Sequence, residues 1–244
     1  KAHSGRHVMN KFERALVCAV AALAPLMAQA QTKVEVGRVK LVLAESGWKE
    51  LDVVSEDLGV DKGVSGMIRG KAKVVTLYDA GDEPVATMLV YATWGSNLSL
   101  RIESRCPSDD VLYVRDFTKG RNAAPECLKV GGPFNGDRMA STALRRFRQA
   151  RETSQVDVPS AAYVLVGDFA AGNGAAIEIE ALIDARVVGL EAQPVGAVPG
   201  LLAPGIAAWG DALGEAARSA LRSMSGELRV PPVKLPPADP PAAN

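Results

Sequence analysis

Two paired runs of β-branched and aromatic residues, each pair joined by turn residues, constrain this chain most. Residues 67–94 read MIRGKAKVVTLYDAGDEPVATMLVYATW. DAGDEP has the Asp, Gly and Pro chemistry of a tight connection, so the flanking runs are expected to form a β-hairpin. Residues 161–188 repeat the arrangement around AAGNGAA, with Ile177, Ile179 and Ala181 alternating against Glu178 and Glu180. Alternation of this kind puts apolar side chains on one face of a half-buried strand.

Shorter runs join the two hairpins. In residues 33–44, Val34 and Val36 share one phase and Val39, Leu41 and Leu43 the other, so a bulge or break is expected near Gly37. GWKELDVV is a further short strand, and residues 55–66, polar and glycine-punctuated, form a loop. In residues 98–105, Leu98, Leu100 and Ile102 oppose Ser99, Arg101, Glu103 and Arg105, and VLYVRDF follows as another strand. Sequential strands with short connections favour an antiparallel meander.

Two helices interrupt this pattern. MASTALRRFRQARE places Met139, Ala143, Phe147 and Ala150 at helical spacing, with Asn135 or Asp137 as the cap. The Pro/Gly-rich residues 189–205 lead to an amphipathic helix over 204–225. Pro204 suits its first turn, Gly226 stops it, and Trp209, Leu213, Ala216, Ala217, Ala220, Leu221 and Met224 form its stripe. Mixed charges at Asp211, Glu215, Arg218 and Arg222 suit a helix covering a sheet better than one lying on a membrane. The fold class is therefore α+β: a mostly antiparallel sheet of meander and hairpins, a middle helix and a C-terminal amphipathic helix.

The ends of the chain are read separately. Residues 1–8 are set aside as upstream sequence. Residues 9–30 carry Lys11 and Arg14, then an apolar stretch, then Ala28-Gln29-Ala30, the order of a cleaved secretory signal. Residues 31–229 form one globular domain, long enough for a real core. Residues 230–244 are an extended Pro-rich tail, because prolines exclude a helix or an inner strand.

Composition then narrows the chemistry. Both histidines, His3 and His7, precede residue 31. A mature chain has none, which excludes a Ser-His-Asp triad, a Cys-His pair and histidine metal ligands. Residues 1–30 hold four basic residues and one acidic residue, leaving 24 basic and 27 acidic residues, a charge of −3. Neither that balance nor any motif points to nucleic acid. Cys106 and Cys127 are the remaining thiols. In an oxidising compartment they are expected to form a structural disulfide rather than a redox pair.

Several candidate sites emerge. GDFAAGNGAA could cradle phosphate, but a strand pattern follows it instead of a helix, so a hairpin turn is expected. Asp109, Asp110 and Asp116, or Asp79, Asp82 and Glu83, could supply paired carboxylates, although turns are where Asp commonly occurs. Tyr91, Trp94 and Tyr113 could form an aromatic platform, with core or cross-strand roles the commoner use of such residues. Arg69, Lys71 and Lys73 on one strand, Arg101 and Arg105 on another, and Arg145, Arg146, Arg148 and Arg151 on a helix would form an anion- or partner-binding surface if they converge.

The resulting expectation is an exported, periplasmic or secreted, non-catalytic protein that binds an envelope protein or a small, anionic ligand. No cofactor, metal or remaining membrane span is expected. The alternative is a carboxylate-dependent hydrolase acting on envelope glycans, marked by two facing acids of which one has a raised pKa.

Overall fold

The computed structural model describes residues 31–52, 70–93, 106, 111–118, 126–171, 174–187 and 204–233. Among the described residues, ten strands form two sheets. The small sheet contains β1 (Thr32–Val36), β2 (Val39–Leu43) and β10 (Glu227–Arg229), in the order β1-β2-β10. The large sheet has seven strands: β3 (Trp48–Asp52), β4 (Gly70–Tyr78), β5 (Pro84–Thr93), β6 (Tyr113–Asp116), β7 (Cys127–Asn135), β8 (Ala161–Ala170) and β9 (Ala176–Asp184). Its order is β3-β4-β5-β9-β8-β7-β6, and every pairing is antiparallel. The two principal hairpins are β4–β5 and β8–β9, and β5 pairs with β9 to unite them at the sheet centre.

The two faces of this sheet carry different covers. Val75, Leu77, Met88, Val90, Ile177, Ile179 and Leu165 belong to the larger apolar cluster. There β1 lies against β4 and β5, while helix α2 (Pro204–Arg222) lies against β7, β8 and β9. On the other face, Ala72, Val74, Leu89, Val164 and Leu182 meet Leu144, Phe147, Ala150 and Val156 of helix α1 (Arg145–Thr153) and its flanks. Each fully buried Leu or Ile contributes about 1.5–3 kcal/mol relative to exposure. Alternating side chains explain both covers, because β4, β5, β8 and β9 are apolar in both phases.

The phase flip at Gly37 is a hairpin turn between β1 and β2, with Gly37 at φ 64°. The middle helix is shorter than its sequence pattern. A helical turn at Gly136–Arg138, capped by the Asn135 side chain accepting from Arg138 N–H at 2.8 Å, runs into a wider π turn, Met139–Ala143. Leu144 is then extended (φ −89°, ψ 109°), and α1 starts afresh. This break turns Ala140 and Leu144 inward and leaves Ala143 exposed.

Beyond α2, Gly226 adopts φ 63°, where an added Cβ would overlap the Arg38 carbonyl. The chain then runs parallel to β2 as β10. The packed body continues past Arg229: Val230 N–H donates to the Val42 carbonyl at 3.0 Å, and Val230 and Val233 are buried. Among the described residues, no helix is long and apolar enough to cross a membrane. The strand expected at 98–105 and the loop at 55–66 lie outside the described residues.

Candidate functional site

A recess with mostly apolar walls lies between β9, α2 and the segment that follows β10. Ile183 and Val187 follow from β9, Ala208 and Trp209 from α2, and Pro232 and Val233 from the terminal segment. The volume is about 290 Å³. Its walls are fixed by polar contacts outside the cavity. The Trp209 indole N–H donates to the Pro231 carbonyl at 3.0 Å. Glu45 accepts from the Trp48 indole at 2.9 Å and from the Val233 backbone N–H, joining the terminal segment to the β2–β3 connection. A small apolar group entering this recess would lose water without disturbing a buried charge.

A second arrangement lies under α1. Counting outward from the β8–β9 turn pairs Ala170 with Ala176 and Asp168 with Glu178. Glu178 is also opposite Tyr91 on β5, so one row crosses three strands. Arg146 is only 4% exposed and lies over the Tyr91 ring, 3.9 Å from its centroid. Its Nε donates to Glu178 at 2.7 Å, and Arg145 approaches the same carboxylate at 3.4 Å. Burial first, then the Glu178 charge, pushes the Asp168 carboxyl above its ordinary range, against the opposing pull of Lys129, Arg145 and Arg146. Glu180, one register step along, accepts the backbone N–H groups of Arg146 and Phe147 at 3.0 and 2.9 Å. Burial raises its carboxyl too, and those two N–H groups counter part of the rise.

The basic residues singled out from sequence divide between two faces. Lys71 and Lys73 alternate with Ala72 and Val74, so they share the phase of Val75 and Leu77. The α1 arginines lie over the opposite face. Lys73 pairs with Glu50, Arg145 with Glu178, and Arg151 with Asp137 at 2.9 Å. Arg148 is exposed. Arg69, Arg101 and Arg105 lie outside the described residues. Thus Lys71 and Lys73 are not brought together with Arg145, Arg148 and Arg151.

The other candidates resolve into local chemistry. Asp79 accepts from the Gly81 and Glu83 N–H groups inside the β4–β5 turn, and Asp116 accepts from the Thr118 N–H and hydroxyl. Asp109, Asp110 and Trp94 lie outside the described residues. Tyr91 is buried beneath Arg146, and Tyr113 donates to Asp211 of α2 at 2.8 Å. GDFAAGNGAA runs from the end of β8 to the start of β9, and its residues 172–173 lie outside the described residues. Cys106 and Cys127 form a disulfide with their Cα atoms 5.6 Å apart, compatible with an oxidising compartment. Among the described residues, no group of three or more Cys, Asp or Glu is arranged to hold a metal.

Sequence reasoning passed over Asp168 and Glu178 as site residues, and placed Arg146 only among the helix arginines of an anion- or partner-binding surface. The signal that finds the acids is hairpin register, since Asp168 and Glu178 are equally far from the turn. Arg146 carries no comparable signal, because helical periodicity alone does not distinguish it from its arginine neighbours. Comparison with protein-family models, curated proteins and solved structures finds no match to this chain.

Proposed function

We propose that this is an exported, non-catalytic protein that binds an envelope partner or small ligand, and that the recess beside Trp209 receives an apolar group of that ligand. The recess carries the reading: its walls are apolar, and the groups that fix them are already hydrogen-bonded elsewhere. Export would follow from cleavage after Ala30, and the Cys106–Cys127 bond suits the compartment reached. Native mass spectrometry of protein exported by its own signal is the test. An adduct or partner retained by the original chain and lost in Ala208→Phe, which fills the recess, is the expected result. A bare monomer in both, with no copurifying protein, counts against the recess. The denatured mass separately reports cleavage after Ala30 and the oxidised cysteine pair.

The alternative, a carboxylate-dependent hydrolase of envelope glycans, is favoured by the Asp168–Glu178 pair. A carboxyl whose pKa is raised by burial, beside one held by two arginines, has the division of roles used in acid catalysis. Release of reducing ends from envelope glycan by the original chain, abolished in Asp168→Asn, would select this reading. Equal release by both would remove it.

A further inference from the structure

We propose that the open groove between the β4–β5 turn and the segment after α1 binds a neutral, polyhydroxylated ligand, a short saccharide. The groove has a volume of about 480 Å³ and shares no lining residue with the Trp209 recess. It therefore goes beyond the binding reading above and stands or falls separately.

Three polar pairs define the groove. Lys49 Nζ binds Asp82 at 2.7 Å and lies 4.1 Å from the centroid of the Tyr78 ring. The Tyr78 hydroxyl donates to Asp157 Oδ2 at 2.7 Å. Arg151 binds Asp137 Oδ1 at 2.9 Å and the Ser141 hydroxyl at 3.1 Å. The segment is anchored beneath: Thr87, fully buried, donates its hydroxyl to the Asp157 carbonyl at 2.7 Å, and Val156 is buried in the core. Asp157 is thus presented from backbone tied to the central strand β5.

Ligand class follows from how the charges are already used. Both cations are engaged with carboxylates, so an anionic ligand would have to compete with Asp82 or Asp137. A cationic ligand would compete with Lys49 or Arg151. A hydroxyl makes neither demand. It can accept from the remaining Lys49 N–H groups and donate to the remaining lone pairs of Asp82, Asp137 or Asp157. Neighbouring sugar hydroxyls supply donor and acceptor together, matching lysine–aspartate and arginine–aspartate pairs. Polarised pairs of this kind also strengthen a hydrogen bond made to either member. The volume falls in the range of small-ligand sites, and its polar lining is unlike the apolar lining usual for them.

The test uses the oxidised, exported chain and a panel of neutral trisaccharides built from glucose, galactose, mannose or N-acetylglucosamine. Backbone amide NMR is expected to show saturable shifts at Gly81, Asp157 and Val158 for at least one of them. Asp157→Asn should weaken that binding about tenfold, the scale of one lost charge-assisted hydrogen bond. Asp82→Asn, on an exposed turn with the left-handed backbone that Asn accepts, gives a second variant if Asp157→Asn alters the segment. Glu227→Gln on β10 should leave binding unchanged. No response to any neutral trimer overturns the proposal. So does preferential binding of oligogalacturonate or oligoglucosamine, or saturable shifts that both groove variants leave intact.

Discussion

Glu180 stands in the middle of β9 and does the work of a helix cap. The residue before α1 is Leu144, which has no side-chain acceptor, and the first N–H groups of α1 find the Glu180 carboxylate instead. Buried N–H donors without a partner are costly, so Glu180→Ala should destabilise the fold by about 2 kcal/mol, and Glu180→Gln, which keeps one oxygen acceptor, by about 1 kcal/mol. Urea denaturation measures both, and equal losses would deny the capping role. Tyr78 gives a pH prediction. Burial, then its bond to Asp157, pushes the phenol from its ordinary 10.0 up to about 12. The unfolded chain therefore releases this proton first as pH rises. The Tyr78 contribution to stability is intact below pH 10.0 and lost progressively toward about pH 12. Asp157→Asn removes the charge and should bring the phenol midpoint back toward 10.0 in a near-ultraviolet titration. An unchanged midpoint would remove Asp157 as a cause. Such roles were only half legible in the residues. Asp79 and Asp116 satisfy neighbours within four positions, so turn chemistry alone finds them. Glu180 satisfies a helix that starts 35 residues earlier in the chain, and no local pattern announces it.

At the scale of elements, the strands were readable because both hairpins announce their own partners through turn residues and alternation. Their union through β5 and β9 is not local, and neither is the parallel pairing of β10 with β2. Helix α2 was also readable: Leu213, Ala217 and Ala220 of its stripe are buried and Trp209 and Leu221 pack against the core, but the buried face extends to residues outside that stripe. Ile206, Leu213, Ala217 and Ala220 face inward with Gly210 and Gly214, while Met224 lies beyond the helix and is exposed. The two glycines matter because the backbone comes close to the sheet. An added Cβ at Gly214 would overlap the Phe117 ring, and one at Gly210 would meet Leu128 at 2.8 Å. Phe117 is itself held, tilted against Phe169 at 5.9 Å and buried. On helix propensity alone Gly214→Ala should stabilise by about 1 kcal/mol. Overpacking a held ring costs about 1–3 kcal/mol, so the net expectation is destabilisation. Chemical denaturation decides the sign, and a stabilised Gly214→Ala would show that Phe117 yields. A periodicity search for apolar bulk cannot find a face defined by the absence of side chains.

For the whole molecule, the start of β7 is where separate parts of the chain are fastened. Cys127 bonds Cys106 across a sequence separation of 21 residues. The preceding residue, Glu126, is buried and receives Arg218 and Arg222 of α2, each at 2.7 Å. Its carbonyl accepts from Phe117 N–H at 2.9 Å, which continues the β6–β7 pairing. The disulfide was legible from composition and compartment; the ion pairs were not, because Glu126 and Arg218 are 92 residues apart. Replacing both cysteines by serine should cost about 3 kcal/mol through the freedom restored to the unfolded chain. Glu126→Gln should cost about 2 kcal/mol, because it removes the carboxylate shared by Arg218 and Arg222 and leaves Arg218 only its pair with Glu215. The two ties act on adjacent residues of one strand end. Loss of the disulfide lets that end move, and the Glu126 carboxylate then holds Arg218 less well. The combined variant should therefore lose less than the sum of the separate losses, by more than about 0.5 kcal/mol. Urea unfolding of the four chains, original, cysteine-free, Glu126→Gln and combined, measures this difference. Losses that add within about 0.3 kcal/mol would mean that the covalent and ionic ties hold β7 independently.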